Sequence, residues 1–146
     1  MSTANELPAM SKLGVIFLTW RRCLQKRLLP YGVMLKQLYV LRQLKKKEAM
    51  SPSQIAELLF CDRPTATSIL HTMARNGWIE SRQDPLNRKQ HLVSLAAAGR
   101  EKLASLSGFT LEPAFDPMGC FTEPEREQFE ELLHKLHSHM KTMTDD

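Results

Sequence analysis

A mainly α-helical chain with one small β-hairpin is the fold class this sequence predicts, and three observations carry the prediction. Apolar residues recur at helical spacing through most of the 146 residues. Three helix starts are spelled out by capping residues, at Ser51, Asp62 and Thr122. Only the stretch from Trp78 to Leu95 reads as paired strands, around the turn-forming run Asp84-Pro85-Leu86-Asn87.

The first helix is expected from Pro8 to Leu29, with Leu13, Ile16, Phe17, Trp20, Leu24 and Leu28 three and four apart on one face. Arg21, Arg22, Lys26 and Arg27 take other faces, and Pro30 with Gly32 ends the helix. Residues 1–7, small and polar, are expected to lack fixed structure. A second helix follows from Leu35 to Lys46 with Leu38, Leu41 and Leu44 inward. Its run Lys45-Lys46-Lys47 suits the negative end of the helix dipole, a simpler reading than a nucleic-acid patch.

Ser51-Pro52-Ser53-Gln54 has the form of a capping box with proline at the first helical position. Ile55, Leu58 and Leu59 supply the inward face of this short helix, and Phe60 closes it. Asp62 caps the next helix, which runs to Asn76 and stops at Gly77. Ala66, Ile69, Leu70 and Met73 line one side; Thr65, Thr67, Ser68, His71 and Thr72 line much of the rest. Short hydrogen-bonding side chains serve solubility less well than Glu and Lys would, but they can read base edges at close range.

One strand begins at Trp78 and Ile79, a second covers His91 to Leu95, and the loop between them carries Arg82, Arg88 and Lys89. Ala97 to Ser105 resumes helix. Gly108, Pro113, Pro117 and Gly119 break the pattern, so 107–121 is read as a bent connector. Thr122-Glu123-Pro124-Glu125 opens a last helix with Phe129, Leu132, Leu133, Leu136 and Met140 in a stripe.

Bulk properties narrow the function. The chain fits one ordinary domain able to bury a core. Its 20 Lys and Arg exceed 16 Asp and Glu, a net charge of +4 that is compatible with a polyanionic partner without requiring one. Cys23, Cys61 and Cys120 are too few for a disulfide framework and lack zinc-ligand spacing, so a reducing cytoplasm is the expected compartment. No window approaches a membrane span, and no leader pattern opens the chain. Paired carboxylates in a pocket context, a nucleophile motif and a Gly-rich phosphate loop are all missing from the sequence, so neither an enzyme nor a cofactor is expected. His134, His137 and His139 cluster on the last helix, but sequence places no third ligand, and no metal site is expected.

Two short helices followed by a basic hairpin form a device for holding DNA, and the residues from Ser51 to Gly99 resemble the MarR family of winged helix-turn-helix transcriptional regulators. Ser-x-x-Gln-Ile-Ala-x-x-Leu at 51–59 looks like that family's first DNA-domain helix. Pro64-Thr65-Ala66-Thr67 and then Asn76-Gly77-Trp78-Ile79 look like the recognition helix and its exit. Arg82-x-Asp84-Pro85-x-Asn87-Arg88-Lys89 is similar to the wing signature, and Val93-Ser94-Leu95-x-x-x-Gly99 to the return strand and following helix. The family often has Arg where Ser68 and Thr72 stand, an acid at His71 and Asp at Asn87; the recognition helix here offers fewer cations, and affinity should lean on the wing.

The resemblance implies an N-terminal dimerisation helix (1–34), a winged helix-turn-helix domain (35–100) and a C-terminal dimerisation region (101–146). The apolar stripes of the first and last helices point the same way. The function implied is a dimeric DNA-binding regulator, most simply a repressor, on a near-palindromic operator whose half-sites lie about 34 Å apart. Candidate DNA contacts are Ser51, Ser53, Arg63, Thr65, Thr67, Ser68, His71, Thr72, Arg82, Arg88 and Lys89, with Arg88 entering the minor groove and Asp84 orienting it. Such regulators are commonly released by a small aromatic effector, for which Trp20, Tyr31, Met34 and Tyr39 are candidate wall residues. Some relatives sense oxidants through cysteine; Cys23 is the candidate, although a buried, inert thiol is the expectation. A winged-helix protein-interaction module is the other alternative, against which the basic wing argues.

Overall fold

The computed structural model describes residues 6–107 and 116–145. Most of the polar start and the centre of the 107–121 connector lie outside the described residues. Two compact units result, divided between Ser107 and Gly108, and each is described by itself.

In the first unit, α1 spans Ala9–Leu28 and passes through a 3-10 turn, Leu29–Tyr31, into Gly32, whose φ of 67° suits glycine. Helix α2 spans Leu35–Lys47, β1 is Ala49–Met50, α3 is Pro52–Leu58 and α4 is Arg63–Arg75. Strands β2 (Ile79–Asp84) and β3 (Asn87–Leu95) form the hairpin, followed by α5, Ala97–Ser105. The sheet is three-stranded and antiparallel in the order β1-β3-β2. Strand β1 has only two residues, Ala49 opposite Ser94 and Met50 opposite Val93, too short to leave a period-2 signal in the sequence.

Val40, Leu41 and Leu44 of α2, Met50, Ile55, Leu59, Leu70, Met73 and the strand residues Ile79, Val93 and Leu95 build one core. The buried residues of helix α1, Leu24 and Leu28, lie in its C-terminal half. There Gln25 Oε1 accepts the α2 amide of Leu35 at 2.8 Å, giving α2 part of its N-terminal cap. Of the rest of the expected inward stripe, Leu13 and Trp20 are half-buried, while Ile16 and Phe17 are 55% and 53% exposed.

Helix ends follow local chemistry. Ser51 Oγ accepts the Gln54 amide at 3.2 Å while Gln54 Oε1 accepts the Ser51 amide at 2.9 Å, closing the expected capping box. Helix α4 stops in a paired-bond motif in which the Gly77 amide reaches Ala74 O and the Trp78 amide reaches Met73 O. Helix α3 stops the same way, through Phe60 to Glu57 O and Cys61 to Ala56 O, although Phe60 stands where glycine is usual. Phe60 therefore holds a φ of 52° and closes the helix as expected, while remaining 94% exposed.

In the second unit α6 spans Glu123–Thr144. Thr122 and Glu125 close its capping box, with Glu125 Oε1 accepting the Thr122 amide at 2.9 Å. Arg126 pairs with Asp116 at 2.7 Å, and the Phe121 ring packs tilted against that of Phe129, centroids 5.3 Å apart. The stripe is there as a helical face, with Phe129 and Leu136 half-buried and Leu132, Leu133 and Met140 exposed. Among the described residues no helix is long and apolar enough to cross a membrane.

Candidate nucleic-acid interface

Helix α4 buries Ala66, Leu70 and Met73 against the core and leaves Thr65, Thr67, Ser68, His71 and Thr72 exposed, which is the division its sequence implied. Two of the hydroxyl-bearing residues already have backbone roles. Thr72 Oγ1 donates to Ser68 O at 3.2 Å, and the Thr65 amide donates to Asp62 Oδ1 at 2.7 Å. The Thr65 hydrogen bonds, and then the charge of Lys36, hold the Asp62 carboxyl below its ordinary value. A carboxylate at the α4 start opposes phosphate there, so Asp62 works as a cap.

At the start of α4, Arg63 Nη1 donates to Ser53 Oγ at 2.6 Å, joining two candidate contacts from successive helices. Ser51 differs from its neighbours. It is 2% exposed, and both its amide and its hydroxyl serve the capping box.

The hairpin is longer than its sequence suggests. Arg82 lies within β2 and Arg88 and Lys89 within β3, where a loop was expected, because wing strands exposed on both faces lose the apolar alternation that marks a strand. Pairing gives Ile79 with Leu95, Ser81 with Val93 and Gln83 with His91 on one face. Arg82, paired with Leu92, takes the other face, since neighbouring strand residues alternate. The register shifts between Gln83 and Asp84, leaving Pro85 and Leu86 as the two tip residues.

Side chains fix the tip from three sides. Asp84 Oδ1 accepts the Leu86 amide at 2.9 Å, Asn87 Oδ1 the Lys89 amide at 3.2 Å, and Gln83 Nε2 donates to Arg88 O at 2.6 Å. Asp84 thus shapes the turn through a backbone amide; it was expected to orient the Arg88 guanidinium. Arg82, Arg88 and Lys89 are all exposed. At the base of the hairpin, Lys102 Nζ lies 5.9 Å from the Trp78 ring centroid, and a Cβ on Gly99 would collide with the Trp78 carbonyl oxygen.

The four candidate effector residues do not share one cavity. A cavity of about 620 Å³ lies between α1, α2 and α3, walled by Phe17, Tyr39, Leu58, Leu59 and Phe60 with Arg21 and Lys36. Tyr39 belongs to it. Met34 lines two other hollows beside Arg21 and Gln25, and Trp20 and Tyr31 are in the walls of none of the three. Only the tertiary fold brings Arg21 and Lys36, from two different helices, to one cavity. Cys23 is exposed, contrary to the expected buried thiol, because it lies off the face that carries Leu24 and Leu28. His134, His137 and His139 are exposed, and among the described residues no group of three or more His, Cys, Asp and Glu is placed to hold a metal ion.

A capped helix pair, a solvent-facing second helix and a basic hairpin on one small sheet define a winged helix-turn-helix protein. The chain matches the model of the MarR family over residues 34–91. It is similar to YwoH of Bacillus subtilis (strain 168), an uncharacterized HTH-type transcriptional regulator, at 25% identity over 108 residues, or 74% of this chain and 78% of YwoH. In structure it is similar to a mutant MarR from E. coli complexed with operator DNA: TM-score 0.79, 20% identity, covering 93% of this chain and 98% of that one. It also resembles BpsR of Bordetella bronchiseptica, whose structure concerns regulation of its DNA binding by 6-hydroxynicotinic acid: TM-score 0.74, 20% identity, covering 86% of this chain and 95% of that one.

Proposed function

We propose that this DNA-binding transcriptional regulator acts as a homodimer on a near-palindromic operator, represses from it, and is released by a small aromatic effector. The observation that carries the DNA reading is the division of α4: its apolar side closes the core while Thr65, Thr67, Ser68, His71 and Thr72 stay open, beside a wing bearing Arg82, Arg88 and Lys89. Helix for the major groove and wing for the minor groove are the roles that suit these two surfaces.

Dimerisation is supported by apolar surface that each unit leaves uncovered. On α1, Val15, Ile16, Phe17 and Leu18 are exposed, and on α6 Leu132, Leu133, Met140 and Met143. Contiguous exposure of this kind marks association surfaces. The effector reading is supported by the α1–α2–α3 cavity, whose aromatic and aliphatic wall carries two cations, Arg21 and Lys36. A planar aromatic acid fits that chemistry.

The test is selection of short duplexes from a random library by the full-length protein, followed by fluorescence anisotropy and light scattering. The expected result is tight, salt-dependent binding by a dimer to sequences with two-fold symmetry. Ile16→Asp should shift the protein toward monomer and weaken binding. A monomer that binds all sequences equally would overturn the proposal. Aromatic carboxylates should release the duplex from the unaltered protein and fail to release it from an Arg21→Ala, Lys36→Ala double variant.

A further inference from the structure

We infer that Pro85 and Leu86 form an apolar wedge at the wing tip that enters the minor groove and partly unstacks a base step, making Leu86 a residue that sets sequence preference. The inference rests on the DNA-binding reading above and adds to it a site without charge.

Hairpins that close on two residues favour Asn, Asp and Gly there, because these tolerate the required backbone and stay wetted. This hairpin closes on Pro85 and Leu86. Leu86 is 96% exposed, the highest value among the large exposed hydrophobic residues that the structure describes. It is also held in place. Asp84 takes its amide, Asn87 and Gln83 tie down the residues that follow, and the Pro85 ring fixes the backbone just before it. A leucine restrained at full exposure gains nothing for the folded chain, because it buries no apolar surface.

The surroundings select the occupant. Arg82, Arg88 and Lys89 lie on the two strands leading to and from the tip, so whatever covers Leu86 lies against cations. That excludes an ordinary apolar partner surface and fits a polyanion whose interior is apolar. The DNA minor groove has this character, with phosphates on its rims and stacked bases and sugars within. Leucine and proline are among the side chains that wedge between base steps, and pyrimidine–purine steps yield most easily. The cations would hold the phosphates while Leu86 reads how readily the step opens.

The experiment uses full-length protein and duplexes that it has itself selected, with 2-aminopurine placed at successive steps of each half-site. Binding of the unaltered protein should raise fluorescence at one step per half-site, a pyrimidine–purine step. Leu86→Ser should abolish that rise and weaken binding roughly tenfold, leaving the salt slope unchanged because no charge is lost. Leu86→Met should keep the signal. An unaltered signal and affinity in Leu86→Ser would overturn the wedge while leaving the DNA-binding reading intact. Failure of the unaltered protein to select any duplex would instead overturn the reading on which it rests.

Discussion

The guanidinium of Arg63, at the start of α4, donates to the hydroxyl of Ser53 on α3 at 2.6 Å, so two residues ten apart in the chain present one polar surface. Both are exposed, and the bond holds the Arg63 side chain toward the helix pair. Ser53→Ala and Arg63→Ala should each weaken binding to a selected duplex, and the double variant should lose less than the sum of the two. A double-mutant cycle should give a coupling of about 0.5 kcal/mol or more; an additive result would mean that the two act independently.

Arg88 is exposed in β3, with its backbone carbonyl fixed by Gln83 and its side chain open. Arg88→Ala should leave circular dichroism and oligomeric state unchanged. It should weaken duplex binding by roughly tenfold and lower the slope of log K against log salt by about one. Unchanged affinity across the salt titration would remove Arg88 from the interface. The reduced slope separates its role from that proposed for Leu86.

Gly99 packs against the carbonyl of Trp78, where a Cβ would strike backbone atoms with no flexible chain end to give way. That carbonyl also accepts the Ala96 amide at 3.0 Å, so moving it strains the junction of β3 and α5. Gly99→Ala should destabilise the protein by about 1–3 kcal/mol, seen as a lower Tm. An unchanged Tm would show that α5 can shift at no cost.

Acid should loosen the start of α4. Hydrogen bonds to Thr65 hold the Asp62 carboxyl below its ordinary value, so the folded state binds fewer protons than the unfolded chain over the window between the two. The resulting stability is fully present above the unfolded value of roughly 3.9 and is lost as pH falls through the lower folded one. Asp62→Asn keeps an acceptor for the Thr65 amide but does not titrate. Its stability should therefore fall less steeply below about pH 4, with the remaining slope due to other lowered carboxyls such as Asp116 and Glu125. Parallel acid denaturation curves for the two proteins would assign Asp62 no part in the transition.

Much of the architecture was legible because its signals are local. A cap acts over three residues, so Ser51 with Gln54, Asp62 with Thr65 and Thr122 with Glu125 could be read directly and mark real helix starts. The polar face of α4 was legible for the same reason, since helical periodicity assigns each residue to a side. The left-handed turn at Phe60 was not, because glycine, the usual sign of such a turn, is absent there. Strand β1 escaped notice because two residues carry no period.

The sequence by itself determined where helices begin, which residues of α4 face away from the core, and that a basic hairpin follows; each depends on neighbours a few residues apart. Only the tertiary structure decided what those elements do to one another. It buried Ser51, joined Ser53 to Arg63, turned Asp84 to the tip backbone, and brought Arg21 and Lys36 to an aromatic cavity. It also left Ile16 and Phe17 of the α1 stripe uncovered, a point periodicity cannot settle, because an amphipathic helix announces that it has an apolar face but not which surface will bury it.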